Sequence, residues 1–262
     1  MATNSEPQAV KDGTVAADLI WLRGVLNWAA KWQGEDGTYL MREDPTRGYP
    51  VPREKNPRRP LATQERFEKV RAVVGQVRMV IRRGKNGERR RTYLPEVLDL
   101  VEGTGRRIAA ILSLRFEDLR LNEGEYGSIL WPADTDKTGK EWLVPLAKDA
   151  RKAIDRVLQE RPGIGAAFIF PAVTDASKSL DVDVASGWLL EAERLAGLEK
   201  QDGSLWHAYR RKWATERKHL PNVDVAAAGG WSALASLQTC YQMADQQTMQ
   251  QVVSSPARLN EA

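Results

Sequence analysis

Apolar residues recur at helical spacing from Thr14 to Trp32, with Val15, Leu19, Leu22, Leu26 and Ala29 forming one stripe. Trp21, Val25, Trp28 and Trp32 form a second stripe beside it. A helix with so wide an apolar face needs partners on more than one side, and Thr14 reads as its N-cap. Prolines at 45, 50, 52, 57 and 60 then rule out continuous helix or central strand. That stretch reads as an extended linker. It divides a helical region with its linker, residues 1–60, from a larger domain, residues 61–262.

Helical patterning resumes in "TQERFEKVRAVVGQVRMVIRRG", with Thr63 as its cap, and Gly84 and Gly87 punctuate the basic "RRGKNGERRR". Pro95 suits the first turn of a helix over "PEVLDLVEG". Gly103 and Gly105 interrupt before "RRIAAILSLRFEDL", where Ile108, Ile111 and Leu112 share a face. The period changes in "GSILWPADTDKTGKEWLVPL". Ile129 with Trp131, and Trp142 with Val144, predict two short strands joined by a Lys/Gly turn. Beyond "AAFIFP" the pattern is helical again through "ASGWLLEAERLAGL", "LWHAYRRKWATERKHL", "VDVAAAGGW" and the tail. The class is mostly α with a small antiparallel β-sheet.

Composition narrows the function. A chain of 262 residues can bury a real core in one or two domains. No apolar run is long enough for a membrane span, and "MATNSEPQAV" has no secretory h-region. Cys240 is the lone cysteine, which excludes an internal disulfide; with only two histidines, a structural zinc site is not expected. The expected compartment is the reducing cytoplasm. Net charge is only +4, but fourteen Lys/Arg face four acids between Arg53 and Arg91, a surplus of ten, leaving the rest at −6. Such concentration fits contact with a phosphate backbone. The candidates are Arg58, Arg59, Arg82, Arg83, Lys85, Arg89, Arg90 and Arg91, although a solvated charged surface has the same composition.

Several familiar sites are absent. "GIGAAF" is not a dinucleotide loop and "KTGKE" is not a P-loop. No serine-centred nucleophile elbow or obvious magnesium-binding acid cluster occurs. Phosphoryl chemistry here would need arginine, lysine and histidine to supply positive charge. Four places offer them: Arg107 at a helix start, Lys137 on the hairpin turn, His207 with Arg210 one helical turn on, and Tyr241 after Gly230-Trp231. Each has a plain reading too. Arg107 could be a surface residue and Lys137 a turn lysine. His207 and Arg210 could lean on the core beside Trp206, Tyr209 and Trp213, and Tyr241 could be a core tyrosine.

Taken in order, these stretches resemble the tyrosine recombinase or phage integrase family. "TGRR", Thr104 to Arg107, followed by "IAAILSLRFED", is similar to its T-G-x-R box. "KTGKEWLVPL" carries its hairpin lysine at Lys137, and His207-Ala208-Tyr209-Arg210 with "RKWAT" matches its H-x-x-R box. Gly230-Trp231 and Tyr241 match the closing pair. The resemblance spans roughly 61–253. It implies the family's catalytic fold over 61–262, preceded by a partial helical core-binding (SAM-like) region. Only one long helix precedes the linker, fewer than the family's usual helical bundle.

The resemblance also implies a reaction on double-stranded DNA. Tyr241 would attack a backbone phosphate to give a 3′-phosphotyrosyl link and a free 5′-hydroxyl, with neither ATP nor metal. Arg107 and Arg210 would hold the phosphate oxygens, and His207 would act as base or donor. Lys137 would protonate the leaving oxygen, and Trp231 would brace phosphate and tyrosine by packing and through its indole N–H. Four copies would assemble on paired sites, with a monomer or weak oligomer when free, at the nucleoid and away from membranes. Two departures stand out: Ala110 replaces the usual acid, and the Trp231–Tyr241 spacing is one residue longer than the commonest. Tyr209 is the rival nucleophile. A type IB topoisomerase-like nicking enzyme and a non-catalytic DNA-binding protein derived from an integrase remain alternatives.

Overall fold

The structure is a computed structural model describing residues 10, 12–52, 59–81, 88–133, 139–201, 203 and 205–254. It divides into two compact units, Met1–Arg58 and Arg59–Ala262. The first holds helix α1, Asp12–Ala29, which begins two residues before the expected Thr14 cap. None of its residues is buried, and Trp21 and Trp28 are 70% and 58% exposed. The wide apolar face expected from the pattern is present, and nothing within this unit covers it.

The second unit opens with α2, Gln64–Val73, where the Thr63 hydroxyl accepts from the Arg66 amide at 3.1 Å. The helical pattern expected to run on through Arg83 stops short. After a 3₁₀ turn the chain forms strand β1, Arg78–Ile81, paired antiparallel with β2, Glu88–Arg91. Val77, Met79 and Ile81 alternate at strand period while also fitting a helix, and pairing with β2 decides between them.

Helix α3, Leu94–Thr104, is the centre of the core. Leu94, Val97, Leu98 and Leu100 are fully buried, and α3 packs against α5, α4, α7 and α6. Each such side chain contributes about 1.5–3 kcal/mol of burial. Pro95 sits in its first turn, and Gly105 ends it in the left-handed conformation (φ 62°). A Cβ there would stand 2.2 Å from the Trp213 ring, so conformation and space both require glycine. Short α4, Ile108–Leu112, follows. Then β3 (Leu119–Arg120), β4 (Ser128–Trp131) and β5 (Trp142–Pro145) form an antiparallel sheet in which Ile129 faces Val144 and Trp131 faces Trp142.

Helix α5, Lys148–Glu160, buries Ala150, Ala153, Ile154 and Val157 against α3. The remaining helices are α6 (Val182–Leu195), α7 (Leu205–Glu216) and α8 (Asn222–Gly229). A single turn, α9 (Leu234–Ser236), runs into a π-helical turn over Leu237–Tyr241, and α10 (Gln246–Ser254) ends the described chain. Trp206, Tyr209 and Trp213 of α7 are all buried, so the aromatic stripe does lean on the core.

Candidate functional site

The site is assembled around the end of α8. A helix leaves its last carbonyls without internal partners and carries partial negative charge there. Here four consecutive carbonyls, residues 227–230, are taken by three arginines. Arg106 donates through Nε to Ala228 O and through Nη2 to Ala227 O, both at 2.8 Å. Arg210 Nη1 donates to Gly229 O at 2.7 Å and also to Gly105 O, and Arg107 Nη1 reaches Gly230 O at 3.2 Å. Gly230 closes α8 at φ 74°, and a Cβ on it would lie 2.4 Å from Arg106 Nη1. The motif glycines are where the chain bends sharply enough to aim carbonyls at guanidinium groups.

Arg210 is 2% exposed, and its Nε and Nη2 have no hydrogen-bond partner. Its guanidinium lies 3.6 Å from the Trp231 ring centroid and 5.3 Å from that of Tyr241. Burial, and then repulsion from Arg107, pull its pKa down to about 9. Among the described residues, neither Arg107 nor Arg210 forms an ion pair with a carboxylate. Charge with spare donors and no counterion is the electrostatic form of an anion site. A cleft of about 150 Å³ lies between Arg107, His207 and Arg210.

His207 and Arg210 sit three residues apart on α7, as the spacing predicted. The His207 Nδ1 lies 3.1 Å from the Tyr241 hydroxyl. Burial, then the charges of Arg210, Arg211 and Arg107, hold the imidazole below its ordinary value of 6.5. It is therefore neutral at neutral pH and able to accept a proton. Trp231 stacks on Trp213 (centroids 6.0 Å) and meets Tyr241 edge-on at 5.0 Å. Its indole N–H is buried without a partner, so packing, rather than that donor, holds the ring against its neighbours.

Tyr209 is placed differently. It is buried, its hydroxyl donates to Glu193 Oε1 at 2.9 Å, and burial drives its pKa far up. It is a core tyrosine. Ala110 packs at the edge of the core.

Arg107, His207, Arg210, Trp231 and Tyr241 are thus brought together, while Lys137 lies outside the described residues. So do Arg58, Arg82, Arg83 and Lys85 of the basic segment. Arg59 donates to Thr239 O at 2.5 Å, two residues before Tyr241. Arg89 is exposed, Arg90 pairs with Glu88 at 2.8 Å, and Arg91 is held by Glu96 and Glu160. Sequence reasoning missed Arg106 as a strut, Arg211, whose Nε donates to Cys240 O at 3.1 Å, and Thr215, whose hydroxyl donates to Tyr241 O at 3.1 Å. Arg211 and Thr215 are the first and last residues of the quoted "RKWAT", but nothing in that pattern gives Arg211 a role. No group of three or more His, Cys, Asp or Glu that could hold a metal occurs among the described residues.

A helical domain with a short antiparallel hairpin, and a tyrosine facing a histidine and two arginines, has the tyrosine recombinase catalytic fold. The same fold occurs in XerH site-specific recombinase bound to palindromic difH substrate in a post-cleavage complex. That match has 19% identity and TM-score 0.68, covering 94% of this chain and 67% of that one. It occurs in a lambda integrase (75–356) dimer bound to a COC′ core site, at 15% identity and TM-score 0.62, covering 90% and 83%. XerA recombinase also shares it, at 16% identity and TM-score 0.56, covering 74% and 63%. This chain therefore spans about two thirds of XerH and somewhat less of XerA. A search of curated proteins finds no match. The chain belongs to the phage integrase family, which matches residues 74–247. No helix among the described residues is long and apolar enough to cross a membrane.

Proposed function

We propose that this protein is a site-specific DNA recombinase that cuts and rejoins strands through a covalent 3′-phosphotyrosyl intermediate. The observation that carries the reading is the Tyr241 hydroxyl 3.1 Å from His207 Nδ1, beside a buried arginine with spare donors. Tyr241 Oη attacks a backbone phosphorus as His207 accepts the phenolic proton. The bond from phosphorus to the 5′-oxygen breaks, and Lys137 protonates that oxygen. Arg107 and Arg210 hold the non-bridging oxygens. A phosphate between them offsets both the desolvation and the mutual repulsion that depress Arg210. Attack by another strand's 5′-hydroxyl reverses the step and frees Tyr241, so bond energy is conserved and ATP is not needed. The arginines supply charge stabilisation of the kind that divalent ions supply elsewhere.

Duplex DNA is the partner, gripped largely through phosphates and therefore salt-sensitively. Helix α10 exposes Met249, Val252 and Val253, which suits docking on a second copy within a tetramer on paired sites. A library of nicked duplexes with varied cores tests the reading, with adducts captured in detergent and EDTA. We expect an adduct that Tyr241→Phe abolishes. An adduct that survives this substitution moves the nucleophile elsewhere. Salt-sensitive binding with no adduct on any duplex supports the non-catalytic alternative, and relaxation of supercoiled DNA by single copies supports the topoisomerase-like one.

A further inference from the structure

The carbonyls of three successive residues at the tyrosine turn are each taken by a different side chain. Thr239 O accepts from Arg59, Cys240 O from Arg211 and Tyr241 O from Thr215. Such carbonyls lack partners at any helix end, and a π turn is a rare conformation concentrated at functional sites. The two arginines are linked, because Arg211 Nη1 also donates to Pro60 O at 3.0 Å, next to Arg59. That opening segment is itself fixed, with Ala62 N donating to Ala208 O at 3.1 Å and Gln201 Nε2 to Leu61 O at 3.1 Å. A single guanidinium therefore bridges the first residues of the larger unit and the residue preceding Tyr241.

We propose that Arg211 is a positioning residue. It fastens the Tyr241 turn to residues 59–60, so that the pose of the phenol follows the path by which the chain enters the larger unit. This rests on Tyr241 being the nucleophile. It adds that the nucleophile is set by a residue to which the motif boxes assign no role, one whose planar fork reaches two carbonyls at once. The positioning matters because a 1 Å misplacement of a reacting group can cost about 10²-fold in rate.

Two measurements test it. Peptide-level amide exchange over 237–243 in the DNA-free protein needs no activity. Arg211→Met is expected to speed exchange there about tenfold, with protection elsewhere retained. Adduct formation on nicked duplexes is expected to slow by about ten- to a hundredfold in the same variant, while DNA affinity holds. Arg211→Lys keeps the charge but loses the planar fork, and should remain much slower than the unaltered chain. Unchanged exchange in Arg211→Met overturns the proposal whether or not any adduct forms. Full restoration by lysine also overturns it, because charge and not fastening would then be the cause. If Tyr241→Phe still forms the adduct, the nucleophile assignment fails, while the exchange result still reports on the fastening itself.

Discussion

Arginines are used in opposite ways at the end of α8 and around the β1–β2 hairpin. Near α8, Arg106, Arg107 and Arg210 take backbone carbonyls. At the hairpin, carboxylates do the holding. Arg91 pairs with Glu96 and Glu160, Arg156 with Glu96 at 3.3 Å and with Asp99 at 2.5 Å, and Arg71 with Asp99 at 3.2 Å. Carbonyls hold a guanidinium in place without cancelling its charge, whereas carboxylates cancel it. The segment richest in positive residues is therefore partly neutralised, and a site built from few scattered ones keeps its field. Charge density along a sequence marks neither the strongest anion site nor the residues that form it.

The largest effect should come from Arg210. Arg210→Met removes spare donors and buried charge together. Adduct formation should fall by about 10²–10³, the usual cost of losing one preorganised donor. Single-turnover rates on nicked duplexes measure it, with DNA affinity largely retained because most contacts are to other phosphates. A variant cleaving at the original rate would mean that the field at α8 is not used for chemistry.

The hairpin gives the opposite pattern. Arg91→Ala leaves the buried Glu96 with only Arg156 and should cost about 1–3 kcal/mol of stability, read as a lower Tm. Its effect on DNA affinity should be small. Arg89→Ala should do the reverse, leaving Tm unchanged while weakening binding across all sequences and reducing the salt slope by about one. Equal effects of the two on binding would erase the distinction between neutralised and free arginines.

Some of this was legible along the chain and some was not. The three-residue spacing of His207 and Arg210 already placed them on one face, and strand alternation marked both sides of the β4–β5 turn. Residues 78–81 fit two periods, and only pairing with β2 resolved them. The α5 stripe of Ala150, Ala153, Ile154 and Val157 has clear helical spacing, yet alanines give a weak apolar signal and no helix was expected there. Helix α1 shows that an apolar face records a need for a partner without saying whether this chain supplies one. Least legible were the acceptors of Arg210. Gly105 and Gly229 are far apart in sequence, and only the packing of α3 and α8 on α7 brings their carbonyls to one guanidinium.

The smallest effect concerns pH and separates the two regions by titration. His207 stays neutral in the folded chain below the ordinary 6.5, because burial and three arginine charges oppose its protonation. The unfolded chain binds that proton near 6.5, so it carries more protons than the folded one just below that pH. Stability linked to His207 is present above pH 6.5 and falls as pH drops from there toward the folded-state value. Adduct formation should keep its plateau down through 6.5 and decline only at lower pH, where the base is lost. His207→Gln should remove the histidine-linked slope from Tm against pH in that window, while Arg91→Ala should leave that slope in place. The charges that lower His207 are those of Arg210, Arg211 and Arg107, so the field around α8, and not the hairpin, acts on this titration. An acid limb centred above 6.5 would show that the arginines no longer crowd His207 once DNA is bound.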